Sequence, residues 1–334
     1  MQYLLPAEPV YDDYVPVIDL SGARTPAGEA RVAEQVDIAC REVGFFVVTG
    51  HGVPRDLVER MDWATRWLFE QPPEYLQRLE PAASDPMQRG YSELDVHLNP
   101  ETAPDLRRTF GINPVNEPGM GRHPNRISPQ RRDRYRYRNQ WPDSRQFRAA
   151  WLDYFRAVEK LAFRLLELMA TGLGLPPGYF VGYHSIAPSN LVANYYPAQD
   201  EPPADNQFRI GEHTDWGSIT VLYQDGQPGL QVYGRDERWH LVRPTRGTFV
   251  INLGDMLEVW TGGLYASTRH RVLNPAREYA MHPRLSVAWF GQPDDDAVIK
   301  TPSDLLARGA TKFGPVVSGD WFAERLTAVR APVG

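Results

Sequence analysis

Cysteine is almost absent from this chain, which has a single one, Cys40, among its 334 residues. One cysteine excludes an internal disulfide and any zinc or iron–sulfur site built from several thiolates. Long apolar runs are also missing, and none approaches the roughly 20 residues that a membrane helix needs. The first 13 residues contain no lysine or arginine, so we expect no signal peptide and a cytoplasmic location.

The chain has no excess of positive charge, because 36 lysine and arginine residues face 42 aspartate and glutamate residues and the net charge is −6. No overall field therefore attracts nucleic acid. The basic run Arg131 to Arg138 has interleaved tyrosines, but it is short and is expected to be a solvated surface segment. The acidic run Asp294 to Asp296 is expected to be a solvated loop. We expect a small-molecule partner, neither nucleic acid nor membrane, and a monomer or weak dimer.

Helical patterns come first along the chain and β patterns follow. Apolar spacing predicts three helices: residues 29–43, the segment from Pro54 to just before Pro72, and a long helix capped by Ser144. From Asn190 to Phe290, short β-like runs alternate with glycine, proline and aspartate, which is typical of a sandwich or barrel. We predict an α+β fold, with a helix-rich region over residues 1–143 and a β core over residues 144–334, in one compact unit.

A candidate metal site stands out in the β region. His213 and Asp215 are two residues apart, so on a strand they would point the same way. The 54 residues between Asp215 and His270 suffice for several antiparallel strands to bring the chain back to the same place. Two imidazoles and one carboxylate form the facial ligand set of non-heme Fe(II) oxygenases, which leaves the opposite side of the metal open.

A candidate anion site accompanies the metal ligands. In the strand-like segment Arg284 to Phe290, Arg284 and Ser286 share a face at period 2, so a guanidinium and a hydroxyl point toward one anion. Asn194 and Tyr196 share a face in the same way. Metal ligands with a separate carboxylate-binding pair are what a chelating dicarboxylic co-substrate requires.

At this point the chain resembles the isopenicillin N synthase-like branch of the Fe(II)/2-oxoglutarate-dependent dioxygenases. Motifs in the family's order run from about residue 15 almost to the end of the chain: Val15-Pro-Val-Ile-Asp-Leu20, Gly44-Phe-Phe-Val-Val-Thr-Gly-His-Gly52, Asn139-Gln-Trp-Pro-Asp143, Asn194-Tyr-Tyr-Pro197, His213-Thr-Asp-Trp-Gly-Ser-Ile-Thr-Val-Leu222, Gly229-Leu-Gln-Val232, Asn252-Leu-Gly-Asp255 and His270-Arg-Val272. Several motifs in the correct order are far more specific than any one of them.

The resemblance implies a double-stranded β-helix, or jelly-roll, core with flanking helices. It implies an enzyme that uses Fe(II), 2-oxoglutarate and O2 on a C–H bond of a small molecule and releases succinate and CO2. Three residues would bind the metal: His213, Asp215 and His270. Four would hold 2-oxoglutarate: Arg284, Ser286, Tyr196 and Asn194. One departure from the family is the 13-residue spacer between His270 and Arg284, which predicts a longer turn.

Substrate-pocket residues are less sharply indicated. Period 2 places Phe290 on the face of Ser286, and Val192 on the face of Asn194. Tyr91, Trp216 and His97 complete the candidates, since relatives contribute pocket residues near Tyr91 to His97. Three arginines could hold a substrate carboxylate but are more often found at protein surfaces: Arg107, Arg108 and Arg122.

Two other functions remain open from the sequence. An oxidase of the same fold that consumes no 2-oxoglutarate would carry the same Arg-x-Ser pair, and a jelly roll can also serve as a non-catalytic ligand-binding module. Rich usage of alanine, arginine and proline hints at a GC-rich bacterium, where such enzymes often act in natural-product biosynthesis. Neither the substrate nor the choice among hydroxylation, desaturation and cyclisation follows from the sequence.

Overall fold

A computed structural model describes residues 4–93 and 102–330. Its framework is two β-sheets that enclose an apolar core, as in a jelly roll. The larger sheet has eight strands in the order β1-β2-β10-β7-β12-β5-β4-β3, and the smaller has four in the order β6-β11-β8-β9. The strands are β1 Val17–Asp19, β2 Phe45–Thr49, β3 Tyr91–Glu93, β4 Arg108–Ile112, β5 Asn190–Tyr196, β6 Ile210–His213, β7 Ile219–Gln224, β8 Leu230–Tyr233, β9 Trp239–Leu241, β10 Phe249–Leu253, β11 His270–Val272 and β12 Arg284–Phe290, and a separate short pair is β13 Val298–Ile299 and β14 Val316–Val317.

The described residues form eight α-helices. They are α1 Pro26–Glu42, α2 Arg55–Phe69, α3 Pro73–Gln77, α4 Pro129–Arg132, α5 Arg145–Gly172, α6 Asp255–Thr261, α7 Ser303–Leu306 and α8 Ser318–Arg330. The side chain of Ser144 accepts a hydrogen bond from the backbone of Phe147 and caps α5, as predicted. The side chain of Thr25 caps α1 in the same way. None of the described helices combines the length and hydropathy needed to cross a bilayer.

The apolar core has two layers, one on each face of the larger sheet. The stripe of α5, including Trp151 and Phe155, packs with α1 and α2 on the outer layer. Trp151 also donates a 3.1 Å hydrogen bond from Nε1 to Thr65 of α2, so its one polar group is satisfied. The inner layer lies between the two sheets and includes Phe45 and Val272. The predicted α+β jelly roll is therefore confirmed.

The structure adds a helix to the β region and joins the two predicted regions in one sheet. Helix α6 interrupts the β region and was not predicted, because its seven residues are too few to show a clear period. Strands β1 to β4, from residues 1–143, lie in the same sheet as strands from residues 144–334. The two predicted regions thus share one sheet, and a domain boundary near residue 143 stays a prediction.

The acidic run Asp294 to Asp296 is a loop, as predicted, but only Asp296 is exposed to solvent. Asp294 accepts hydrogen bonds from three successive backbone N–H groups at residues 185–187, and buried Asp295 accepts one of 2.8 Å from Tyr135. Burial raises the pKa of Asp295. Arg131, from the basic run, pairs with Asp296 at 3.0 Å and with Asp320 of α8 at 2.6 Å. The two runs of opposite charge therefore join distant parts of the chain.

Candidate metal centre and co-substrate site

His213, Asp215 and His270 come together at one end of the smaller sheet. His213 ends β6, His270 begins β11, and the two face each other across the antiparallel ladder. The Oδ1 atom of Asp215 lies 3.9 Å from Nε2 of His213 and 3.8 Å from Nε2 of His270. The three ligand atoms lie within 4.8 Å of one another, so a single ion can contact all of them.

Backbone carbonyls fix which nitrogen of each imidazole faces the centre. Nδ1 of His213 contacts the carbonyl of Gly211 at 2.9 Å, and Nδ1 of His270 contacts that of Thr268 at 3.1 Å. A carbonyl accepts hydrogen bonds only, so Nδ1 carries the proton in both rings. Nε2 is then left with its lone pair toward the third ligand, which is the orientation a metal-binding histidine needs.

The carboxylate is oriented by two neighbouring strands. Asp215 lies in the loop beyond β6 and not on the strand, so period 2 alone does not explain its position. Its Oδ2 accepts hydrogen bonds of 2.5 Å from Thr220 of β7 and 2.6 Å from Asn252 of β10. Its backbone carbonyl also accepts a 2.8 Å bond from the N–H of Asp255. These contacts turn Oδ1 toward the two imidazoles.

The electrostatics of the cluster favour the metal-binding protonation states. Burial, followed by repulsion from His270, lowers the pKa of His213 to about 3, so its ring is neutral near pH 7. Burial acts to raise the pKa of Asp215, but the two histidines and the hydrogen bonds from Thr220 and Asn252 outweigh it and the pKa is lowered. The neutral imidazole of His213, the carboxylate of Asp215 and Nε2 of His270 therefore meet at this point, and such a set fits a divalent cation.

The predicted anion-binding residues lie on the larger sheet, where β5 and β12 pair antiparallel. Arg284 is opposite Tyr196, and Ser286 is opposite Asn194. The Arg284 guanidinium is 1% exposed, donates to Ser286 Oγ at 3.3 Å and lies 4.9 Å from the centre of the Tyr196 ring. No carboxylate of the described residues pairs with it, so a buried cation here remains available to an anion.

Sequence reasoning missed a second buried arginine at this end of the site. Arg209 directly precedes β6, and its guanidinium lies 5.5 Å from the centre of the Tyr196 ring. Its one hydrogen bond to a described residue is 3.5 Å long, to the carbonyl of His282, and its Nε has no partner there. Burial, and then repulsion from Arg284, lowers the pKa of Arg209 to about 10. The only sequence signal was an arginine inside a strand-like apolar run.

A cavity of about 330 Å³ opens beside the metal ligands. Residues lining it include His213, Asp215, Asn194, Val192, Trp216, Phe290, Arg107, Gln292, and Phe322 and Leu326 of α8. Three substrate-pocket candidates, Val192, Trp216 and Phe290, thus lie on its wall. His97 lies outside the described residues.

Tyr91 does not lie on this wall, so its prediction as a pocket residue is wrong. Its side chain packs into the outer core, with its ring 6.2 Å from that of Phe69. The next residue, Ser92, lines the cavity instead. Successive side chains of a strand point to opposite faces, so Tyr91 faces the core and Ser92 faces the cavity.

Comparisons with known proteins agree with this site. Residues 187–293 match the family described as the 2OG-Fe(II) oxygenase superfamily, and residues 15–144 match the one described as non-haem dioxygenase in morphine synthesis N-terminal. Validamycin A dioxygenase of Streptomyces hygroscopicus subsp. limoneus is 33% identical, over 89% of this chain and 81% of its own. The 2-oxoglutarate-dependent dioxygenase traH of Penicillium crustosum is 34% identical, over 88% of each chain.

Solved structures show the same likeness. A full-length protein of Neurospora crassa, crystallised in complex with alpha-KG, superposes with a TM-score of 0.81 at 26% identity, covering 96% of this chain and 98% of its own. The rice dioxygenase for auxin oxidation superposes with a TM-score of 0.72 at 27% identity, covering 94% and 95%. A jelly roll with two histidines and a carboxylate at its mouth defines a non-heme iron oxygenase. The chain belongs to the Fe(II)/2-oxoglutarate-dependent dioxygenases, where the isopenicillin N synthase-like grouping fits, and it acts on a small molecule.

Proposed function

We propose that Fe(II) is bound by Nε2 of His213, Nε2 of His270 and Oδ1 of Asp215. The observation that carries this assignment is the convergence of these three atoms. Each side chain is oriented by a hydrogen bond at its other polar atom, which is Nδ1 in the two histidines and Oδ2 in Asp215. Groups that hold ligands in place before the metal arrives lower the cost of binding it. When bound, the iron supplies the activation of O2 that no protein side chain can supply.

The same proposal assigns the distal carboxylate of 2-oxoglutarate to Arg284 and Ser286. The Tyr196 ring packs against the Arg284 guanidinium, and Asn194 lies opposite Ser286 on the neighbouring strand. A charge-assisted contact to a buried guanidinium is stronger than a neutral hydrogen bond and selects a dicarboxylic acid. Arg271 is a poorer candidate, since it already donates to Gln231 and stacks on Trp239.

The substrate is proposed to occupy the cavity beside the iron ligands, with hydroxylation of a C–H bond as the default reaction. Trp216, Val192 and Phe290 form an apolar wall that excludes water from the reacting carbon and holds that carbon near the metal. The relatives' names include a dioxygenase of validamycin A and one of auxin oxidation, which supports a small organic substrate in this position.

An absorption experiment tests the metal assignment. Adding Fe(II) and 2-oxoglutarate without O2 should give a weak visible charge-transfer band, and Asp215→Ala should abolish it. Glu212→Ala is the matched control, since Glu212 is the neighbouring carboxylate but pairs with Arg269. An undiminished band in the Asp215 variant would reject the ligand set.

Turnover stoichiometry tests the co-substrate role. We expect one 2-oxoglutarate to be consumed and one succinate released per O2, with the steepest loss of 2-oxoglutarate affinity in Arg284→Ala. Iron binding should survive in that variant, because Arg284 is not a ligand. Product formed without 2-oxoglutarate would instead indicate an oxidase of the same fold.

A further inference from the structure

The cavity beside the metal ligands is mostly apolar but has one cationic group. Met87, Val192, Phe290, Phe322 and Leu326 contribute hydrocarbon surface to its wall. Apart from the metal ligands, Arg107 is the only charged side chain among the described residues of this wall. An apolar cavity with one fixed charge distinguishes ligands by charge, because an unpaired ion is costly to desolvate.

The surroundings of Arg107 hold its guanidinium in one orientation and leave a donor unused. Nη1 donates to Oδ1 of Asn194 at 2.5 Å, and Nη2 lies 3.4 Å from Oδ2 of Asp105. Asp105 is itself fixed by the backbone N–H of Gly211 at 2.9 Å. The Arg107 side chain is only 9% exposed, and its Nε, which is buried, has no hydrogen-bond partner among the described residues.

The other two arginines considered from the sequence are engaged elsewhere. Arg108, the next residue, pairs with Glu93 at 3.0 Å, and neither residue lines the cavity. Arg122 pairs with Glu159 at 2.6 Å and donates to the carbonyl of Ala187. Of the three, Arg107 alone reaches the cavity.

We propose that Arg107 binds a carboxylate on the substrate, so that this enzyme acts on apolar organic acids. The inference rests on the proposed function, since it places the substrate beside the iron. A carboxylate in the cavity would accept charge-assisted hydrogen bonds from the Arg107 guanidinium, which are stronger than hydrogen bonds from a neutral donor. The acid's hydrocarbon part would then lie along Val192 and Phe290, which places its C–H bonds toward His213 and Asp215.

Matched pairs of ligands test the proposal directly. The protein loaded with Fe(II) and 2-oxoglutarate without O2 is titrated with 4-phenylbutyrate, indole-3-propionate and decanoate, and with the primary amide of each. Binding is read from the change in the charge-transfer band and from the shift in melting temperature. We expect each acid that binds to bind about tenfold or more tightly than its amide, the size of one charged hydrogen bond.

Three variants locate the effect. Arg107→Gln should reduce the preference for acid over amide to about twofold or less, and Arg107→Lys should keep part of it. Arg108→Gln is the matched control and should leave the preference unchanged. The 2-oxoglutarate affinity is measured in each variant, because Asn194 links Arg107 to the proposed co-substrate site.

Three results would overturn the inference: equal binding of acids and amides, no binding of any acid at millimolar concentration, or an undiminished preference in Arg107→Gln. Loss of 2-oxoglutarate binding in Arg107→Gln would also overturn it and would assign Arg107 to the co-substrate. Failure of the proposed function is distinguishable, because the wild-type protein would then form no charge-transfer band before any acid is added.

Discussion

Arg209 and Arg284 place two buried guanidinium groups against one aromatic ring, 5.5 and 4.9 Å from the centre of Tyr196. Neither has a carboxylate partner among the described residues, and each acts on the other as a like charge. Two buried cations without an anion are unfavourable, since buried charges normally require a partner. A dicarboxylic ligand supplies that partner.

Removing the second cation should weaken 2-oxoglutarate binding selectively. We expect Arg209→Gln to lower the affinity for 2-oxoglutarate by about tenfold, as loss of one favourable charge interaction would. The affinity for 2-oxopentanoate, which lacks the distal carboxylate, should not change. Calorimetry on Zn(II)-loaded protein measures both, with Arg209→Lys as the charge-preserving control. An equal loss for both ligands would mean that Arg209 only supports the packing of Tyr196.

Metal affinity should depend on residues that do not contact the metal. Asn252→Leu removes one of the two donors to Oδ2 of Asp215, and Thr220→Val removes the other. Each should weaken divalent metal binding by about 10- to 100-fold, the usual effect of removing a hydrogen bond to a ligand. Calorimetric titration with Mn(II) measures this. Thr248→Val, which removes a hydroxyl bonded to the carbonyl of Thr245, is the control and should bind as the wild type does.

Helix α8 should govern substrate affinity without changing co-substrate affinity. Phe322 packs edge-on against Trp216, with centroids 5.9 Å apart, and Trp321 donates to the carbonyl of Trp216 at 3.0 Å. Phe322→Ala removes part of the cavity wall, so the KM of the best organic acid should rise severalfold. The Kd for 2-oxoglutarate should stay constant. A parallel rise in both constants would show a general loss of structure, and Phe313→Ala, a surface aromatic, controls for truncation alone.

Stability should fall as the pH rises through the titration of His240. Burial acts to lower the pKa of His240, but hydrogen bonds to Asp236 and Asp12 outweigh it and the pKa is raised. A raised pKa means that the folded state holds the proton more tightly than the unfolded state does. Protonated His240 therefore stabilises the fold fully at a pH below the unfolded pKa of about 6.5, and this stabilisation is lost as the pH rises through the folded-state pKa. The difference in urea midpoint between wild type and His240→Gln should therefore be larger at pH 6 than at pH 8.5. The same difference at both pH values would refute a charged contact.

Residues that are close in sequence or in register were within reach of sequence reasoning. The spacing His213-x-Asp215 and the alternation along β5 and β12 brought the right residue types to the right faces, even though Asp215 proved to lie in a loop. Helix α5 followed from its apolar period and its serine cap. Each of these patterns is local, because the residues that form it lie within one short segment of the chain.

Contacts between distant segments could not be predicted in the same way. Thr220 and Asn252 support Asp215 from two other strands, and neither residue type at its position indicates that role. Phe322 reaches the cavity from α8 and packs against Trp216, which lies more than 100 residues earlier in the chain. Tyr91 was chosen from where relatives contribute pocket residues, and that position alone does not show which of two successive side chains faces the cavity.

The two ends of the site belong to different sheets, and this division gives the co-substrate a second effect. The metal ligands are attached to the smaller sheet and its loop, whereas Arg284 and Ser286 belong to the larger one. A dicarboxylate that contacts the metal on the smaller sheet and Arg284 on the larger sheet would hold the two sheets together. Unfolding either sheet would then require giving up the ligand, which stabilises the folded state by about 2.7 kcal/mol at a hundredfold excess over Kd. The chain would thus be most resistant to heat and proteolysis when it is ready for turnover.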